Sequence, residues 1–415
     1  MTRPEPPSSF TVRAVRMSGF AVGADGVVDD GEVQPLASEV ADSFAAAAEI
    51  ARSFAARYGY PQELLSSQME FAEQCCTGKF ASVPAFSFGS PSLLGFPDSW
   101  VAISIEGHPG YGVSFSALLD VRLPNDGQFA QAARAWLEHA SQVLGTDLWE
   151  RLHRSLPLVA PAQWNNPHGA PHGVWGSVTV LPRGGREGAA GHYPYSPERF
   201  EWMLTELANR PLSANFRLRQ LDETGIPYEG SGELAVAVAV VDEDRPEWVQ
   251  LSAGSTLLSA EHDPMRPQVS QRWAGVLRVM AERVDASFGH LCDDASAKGT
   301  ALDATLFRGG EVESMLQGRE VLRGYSWVTV CPAELARRLG GTSALAATGA
   351  FAVVGQLPHG GVWLQASPEF ASYDERAVRE VFTALAPVLP AGKPERDPFD
   401  DRPRRLVWED AADYR

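Results

Sequence analysis

The sequence predicts an α+β protein of two related lobes, each an antiparallel sheet of about four to six strands with helices packed mainly on one face. Three observations carry the prediction. Short runs such as Phe10 to Met17 and Val113 to Leu123 alternate apolar and polar residues, as half-buried strands do. Other segments repeat apolar residues at three- and four-residue steps, as amphipathic helices do. Finally, one phrase occurs twice. Trp100-Val101-Ala102-Ile103-Ser104 returns as Trp248-Val249-Gln250-Leu251-Ser252, and Ser177-Val178-Thr179-Val180-Leu181-Pro182 returns as Trp327-Val328-Thr329-Val330-Cys331-Pro332. Trp100 and Val178 are 78 positions apart and Trp248 and Val328 are 80 apart, which reads as an internal duplication.

In chain order, Phe10 to Met17 is a strand ending in the Gly-rich turn Gly19 to Gly31. Pro35 opens an Ala-rich helix, Leu36 to Tyr58, with Val40, Phe44, Ala47, Ile50, Phe54 and Tyr58 at helical steps, and Gly59 and Pro61 stop it. Val83 to Phe88, Trp100 to Ile105 and Val113 to Leu123 form a meander. Asp126 is placed to cap the helix Phe129 to Leu144, whose Ala132, Trp136, His139, Ala140 and Val143 face the core. Gln163 to Gly173 is a loop by composition and feeds the strand Val174 to Leu181. Ser196 and Pro197 then begin a helix, serine as N-cap and proline at the first helical position. The boundary falls between Pro182 and Ser196, giving an N-terminal lobe 1–190, a C-terminal lobe 191–392 and a charged tail 393–415.

In the second lobe, Phe216 to Leu221, Leu234 to Val241 and Trp248 to Ser252 read as antiparallel strands. Leu234 to Val241 is apolar on both faces and therefore central. Val269 to Ala286 is the counterpart of the Trp136 helix, and Ala295 to Gly318 is an extended insertion with little core material. Tyr325 to Val330 is a strand, Pro332 to Leu339 a short helix, and Pro358-His359-Gly360-Gly361 the turn of a hairpin. Asp374 begins the last helix, which buries Val378, Val381, Phe382, Leu385 and Val388. The tail from Lys393 alternates acids and arginines around Pro394, Pro398 and Pro403, as a surface-lying or mobile extension does.

At 415 residues the chain exceeds the usual size of one core, and 44% hydrophobic with 21% charged residues is a globular composition. The formal net charge of −17 argues against nucleic acid and favours a basic protein partner. No apolar run approaches the roughly 20 residues that span a bilayer, and Met1 to Phe20 lacks a secretory pattern, so a cytoplasmic protein without a membrane segment is expected. Cys75, Cys76, Cys292 and Cys331 form neither a disulfide framework nor a Cys-x-x-Cys metal pair.

The C-terminal cassette runs Leu322-Arg323-Gly324-Tyr325-Ser326-Trp327 into a strand. Glu334-Leu335-Ala336 with Leu339-Gly340-Gly341 follows, and then Leu357-Pro358 with Gly360-Gly361-Val362-Trp363-Leu364-Gln365. This order, over roughly residues 195 to 390, resembles the type VI immunity family, bacterial proteins thought to neutralise effector toxins. The resemblance implies a non-enzymatic protein that binds a partner, and it transfers no catalytic residue.

Candidate chemistry is sparse. His168 and His172 stand four residues apart near His192, but Gly169-Ala170-Pro171 breaks the helix that would align them for a metal. His290, Cys292, Asp293 and Asp294 could form a thiol or acid–base site; the alternative is a strand end running into a solvated acidic loop. No Gly-x-Ser-x-Gly elbow or phosphate-binding glycine motif occurs. Asp242-Glu243-Asp244 and Asp397 to Asp401 are acid-rich turns. Of eleven tryptophans, Trp136, Trp202 and Trp273 lie on apolar helix faces, whereas Trp164 and Trp408 are placed as exposed anchors. The reading is a cytoplasmic protein-binding module with no catalytic, cofactor or metal residues, an immunity protein that occludes a basic toxin. The alternative is an enzyme with its site between the lobes near His168, His172, His192 and the loop after Cys292.

Overall fold

The computed structural model describes residues 9–18, 32–76, 85–88, 99–108, 115–158, 166–184, 191–227, 232–256, 262–293, 300–306, 311–395 and 405–415. The chain divides into two units, Met1–Gly112 with Glu229–Ser231, and Val113–Tyr228 with Gly232–Arg415. Both carry antiparallel sheets and helices, so the class is α+β.

In the first unit β1 (Ser9–Ser18), β2 (Glu32–Ala41), β3 (Ala85–Phe88) and β4 (Ser99–His108) pair in the order β2-β1-β4-β3. Helices α1 (Phe44–Tyr58) and α2 (Gln62–Cys76) follow β2. Phe10, Val12, Ile103 and Ile105 form one apolar core with Ala47, Ala51, Phe54, Leu65 and Met69 of the helices. The Ala-rich helix begins at Phe44 rather than Leu36, because Leu36 to Ala41 pair with β1 and Ser43 caps the helix through its hydroxyl. Strand pairing overrides a weak intrinsic preference there. Gly59, at φ 79°, ends α1 in the left-handed conformation that a side chain disfavours.

The second unit holds ten strands. They are β5 (Phe115–Arg122), β6 (Val174–Leu181), β7 (Gly191–Pro194), β8 (Ser213–Gln220), β9 (Glu233–Val240), β10 (Trp248–Ser255), β11 (Ala286–Cys292), β12 (Val328–Cys331), β13 (Val353–Gln356) and β14 (Val362–Gln365). Their order is β13-β14-β12-β11-β5-β10-β9-β8-β6-β7. Helices α3 (Asp126–Arg154), α4 (Pro197–Glu206) and α5 (Pro267–Arg283) pack on the face that buries Phe115, Leu119, Val178, Phe216, Val236, Val238 and Leu251. Phe216 stacks on Trp149 of α3 at 5.1 Å and meets Phe200 of α4 at 5.3 Å, while Phe115 meets Trp273 of α5 at 5.6 Å. Asn125, not Asp126, caps α3 by accepting from the Gln128 amide at 2.9 Å. The helix is kinked at Thr146, φ 38°, where a Cβ on the preceding Gly145 would lie 2.7 Å from the Trp149 ring.

This architecture corrects the expected lobes 1–190 and 191–392. β5 sits mid-sheet between β10 and β11, and β6 pairs with β7 across residue 190, so one sheet holds strands from both sides of that boundary. The apparent duplication goes with it. Trp100 lies in β4 of the four-stranded sheet opposite Met17, whereas Trp248 opens β10 of the ten-stranded sheet opposite Arg122. Between the first pair of anchors the chain forms β5 and α3; between the second it forms α5, β11, α6 (Ala301–Thr305) and α7 (Glu311–Leu316). The shared wording reflects the common demand for Val-rich strands with a buried face.

Two other expectations change. The described part of 295–318 forms α6 and α7 and buries Ala301, Leu302 and Met315. The end of the tail is seated: Leu406, Val407 and Ala411 are buried, the Val407 amide donates to the Tyr325 hydroxyl at 2.8 Å, and the Gly392 amide donates to Asp410 at 2.9 Å. Its apolar residues dock while its charges pair, as Arg405 does with Asp293 at 3.0 Å. Of the remaining elements, α8 (Ala333–Arg338), the β13–β14 hairpin turning at Gly360 (φ 89°) and α10 (Glu375–Leu385) capped by Asp374 lie where the sequence places them, whereas α9 (Gly341–Ala347) is a helix the sequence reading did not anticipate after the two glycines.

Candidate functional site

Successive side chains of a strand point to opposite faces, so the residues between the buried ones of β8, β9 and β10 lie on the face away from α3. On β9 these are Glu233, Ala235, Ala237 and Ala239, all half-buried. Register aligns Ala237 with Asn215 of β8 and Ser252 of β10, and Ala235 with Arg217 and Gly254. Ser116 of β5 follows beside Gly254, where an added Cβ would meet nothing within 4 Å. The face is thus a floor of small side chains. The expected central strand is central, yet only its Leu234, Val236 and Val238 are buried; alanine is apolar enough to read as core but here tiles a partly open surface.

At the β6 end of this floor stands an aromatic and cationic cluster. Trp175, 2% exposed, lies edge-on to His168 at 5.0 Å, and its ring centroid is 6.3 Å from that of His192. His168 is held by the Asn166 carbonyl at Nδ1, 3.0 Å, and His192 shares a 2.7 Å hydrogen bond between Nδ1 and the Thr179 hydroxyl. Burial lowers the pKa of both histidines, and positive charge adds to it: Arg219 at His168, Arg217 and Arg219 at His192. Two histidines of the expected trio therefore come together around Trp175. His172 does not: it is exposed, at φ 58°, and among the described residues its backbone is held by Asp222 and Arg151. Glu233 pairs with Arg219 at 2.6 Å and with Arg217 at 3.4 Å.

Toward β11 the same face is covered. Arg323 is fully buried, meets the equally buried Asp120, bonds Asp303 at 3.0 Å and lies 5.8 Å from the Phe288 ring centroid. Gln250 donates to Asp120 at 3.3 Å, and Ser314 bridges to Asp303 at 2.6 Å. Burial raises the Asp120 pKa, and Arg323 offsets that only in part. The sequence reading missed this group, although a charged residue inside Leu118-Leu119-Asp120-Val121 is an available signal, since a buried charge requires a partner.

Cys292 is buried at the end of β11, its Sγ 3.9 Å from His290 Nδ1 and 3.8 Å from the Ser116 hydroxyl. Burial, aided by Arg323, pushes His290 down to about 3, so the imidazole is neutral and a poor base near pH 7. Asp293 is turned to Arg405 and Asp294 lies outside the described residues, as do Trp164 and Asp397 to Asp401. Trp408 is half-buried and packs on the core rather than standing out as an anchor. Among the described residues no three His, Cys, Asp or Glu side chains gather as a metal cluster.

His290 has a testable consequence. The unfolded chain takes up its proton near pH 6.5 and the folded chain only near 3, so within that window the unfolded state binds more protons and stability falls as pH falls, by up to about 1.4 kcal/mol per pH unit. Denaturant unfolding from pH ~7 to ~5 is expected to show this slope reduced by about one proton in His290→Gln. Equal slopes in the two chains would assign the dependence elsewhere.

No protein-family model matches the chain, and no curated protein matches it. Among solved structures, the Pseudomonas aeruginosa T6SS protein PA0821 is similar over 74% of this chain and 82% of its own, at 14% identity and a TM-score of 0.41. No described helix is long and apolar enough to cross a membrane.

Proposed function

We propose that the protein is a cytoplasmic recognition module that docks a basic protein domain on the half-exposed face of its ten-stranded sheet and acts by covering it. This is the immunity type of function that the resemblance of residues 195 to 390 implies. The observation that carries the reading is the floor itself, Ala235, Ala237, Ser252, Gly254 and Ser116 across three adjacent strands, with the part-exposed Arg217 at its edge. Small side chains on a sheet allow close approach of a partner surface, and Arg is among the residues whose contacts most often dominate binding. The net charge of −17 speeds encounter with a basic partner. Occlusion needs an interface of about 800 Å² per partner and no chemistry from the inhibitor.

A photo-crosslinking residue in place of Ala237 is expected to join one basic protein, which is then purified and titrated. Ala237→Arg is expected to weaken that titrated affinity by about 30-fold or more, the loss of a ~2 kcal/mol hot spot, at an unchanged melting temperature. An unchanged affinity removes this face from the function.

A further inference from the structure

Resting on the docking reading above, we infer that Arg217 is the anchor of the contact and that it takes a carboxylate side chain of the docked protein. Arg217 and Arg219 are two residues apart on β8 and share one face, opposite Ala235 and Glu233 of β9. Glu233 divides itself unequally between them. Its Oε2 lies 2.6 Å from Arg219 Nε, whereas its Oε1 is 3.4 Å from Arg217 Nη1. One carboxylate thus satisfies Arg219 and leaves Arg217 under-used. Arg217 Nε is shielded from solvent and has no hydrogen-bond partner among the described residues, although the side chain as a whole is 42% exposed. Asn215 Oδ1, next along the same face, is likewise shielded and unpartnered among the described residues.

A guanidinium offers five donors in a planar fork that matches a carboxylate, and a shielded donor left without an acceptor is costly. The flanking positions in register, Ser177 on β6 and Ala235 on β9, are small and carry no charge to compete with an incoming group. Local charge points the same way. Among the described residues the two guanidinium groups share the Glu233 carboxylate, a local positive excess on a chain whose total is −17. Long-range attraction selects a basic domain as a whole, and the short-range excess selects which of its groups lands at Arg217, since a lysine or arginine there meets like charge.

The test uses the full chain, two probes and the crosslinked partner. The Nε–H resonance of Arg217 is followed by NMR while N-acetyl tetraglutamate amide, and separately N-acetyl tetralysine amide, is added. The expected result is a saturable shift with the acidic peptide alone, lost in Arg217→Gln, with Arg217→Gln also weakening the partner protein about tenfold or more. Arg217→Lys keeps the charge and the fold but not the fork, and is expected to restore less than half of the lost binding free energy. Equal titrations of Arg217→Gln and the wild-type chain, or a saturable shift with the basic peptide, overturn the inference. If Ala237→Arg disrupts the protein contact while Arg217→Gln leaves it unchanged, the carboxylate anchor fails and the docking face stands; if neither has an effect, both fail.

Discussion

Arg323→Met is expected to destabilise the second unit by about 3–5 kcal/mol, because it leaves the Asp120 carboxylate buried without its cation. Neither side chain reaches solvent, so water cannot replace the lost partner. The Arg323 guanidinium also holds Asp303 at 3.0 Å and Ser314 at 3.3 Å, so the same substitution loosens α6 and α7 from the sheet. The Arg323→Met, Asp120→Asn double variant is expected to recover much of the loss, since a buried ion pair contributes little net stability and most of the cost of breaking it is the stranded charge. Denaturant unfolding of the single and double variants decides the matter. A loss below about 1 kcal/mol in Arg323→Met would show that Asp120 finds another partner.

Trp136→Ala is expected to cost about 3–5 kcal/mol, the usual range for emptying a large aromatic site in a core. The indole is fully buried between α3 and the sheet. Its Nε1–H is shared by the Ala237 and Ser252 carbonyls, each at 3.1 Å, so one donor ties β9 and β10 together beneath the floor. Trp136→Phe keeps most of the apolar volume and removes the donor, with an expected cost of about 1–2 kcal/mol. Because Ala237 and Ser252 also form the proposed contact face, the partner titration is expected to weaken in Trp136→Ala beyond what Trp136→Phe shows. Equal stability of the two variants would contradict the cavity argument.

Local features of the sequence survive intact in the structure. The Trp136 and Trp273 helices, the Ser196-Pro197 helix start, the Asp374 cap and the Pro358 to Gly361 hairpin each depend on a few neighbouring residues, and each lies where its residues place it. Strand partners depend on residues far apart in the chain, and there the structure departs from the local pattern. Leu36 to Ala41 satisfies a helical pattern, but β1 offers a pairing edge that the pattern does not reveal. The two Val-rich phrases look alike as strings, yet β4 and β10 belong to different sheets. The candidate contact face was half legible. Phe216-Arg217-Leu218-Arg219 alternates visibly, while its pairing with Glu233 becomes apparent only when β8 lies beside β9.

By itself, then, the sequence determined the α+β class, most helix positions and the alternation that turns Arg217 and Arg219 away from the core, because periodicity and capping act within a few residues. Only the tertiary structure decided that β5 joins β10 and β11 in one ten-stranded sheet, that Asp120 meets Arg323 across two hundred residues of chain, and that His168 and His192 flank Trp175 without His172. Such contacts form where burial and charge pairing outweigh the cost of closing long loops, a balance that no short stretch of residues encodes.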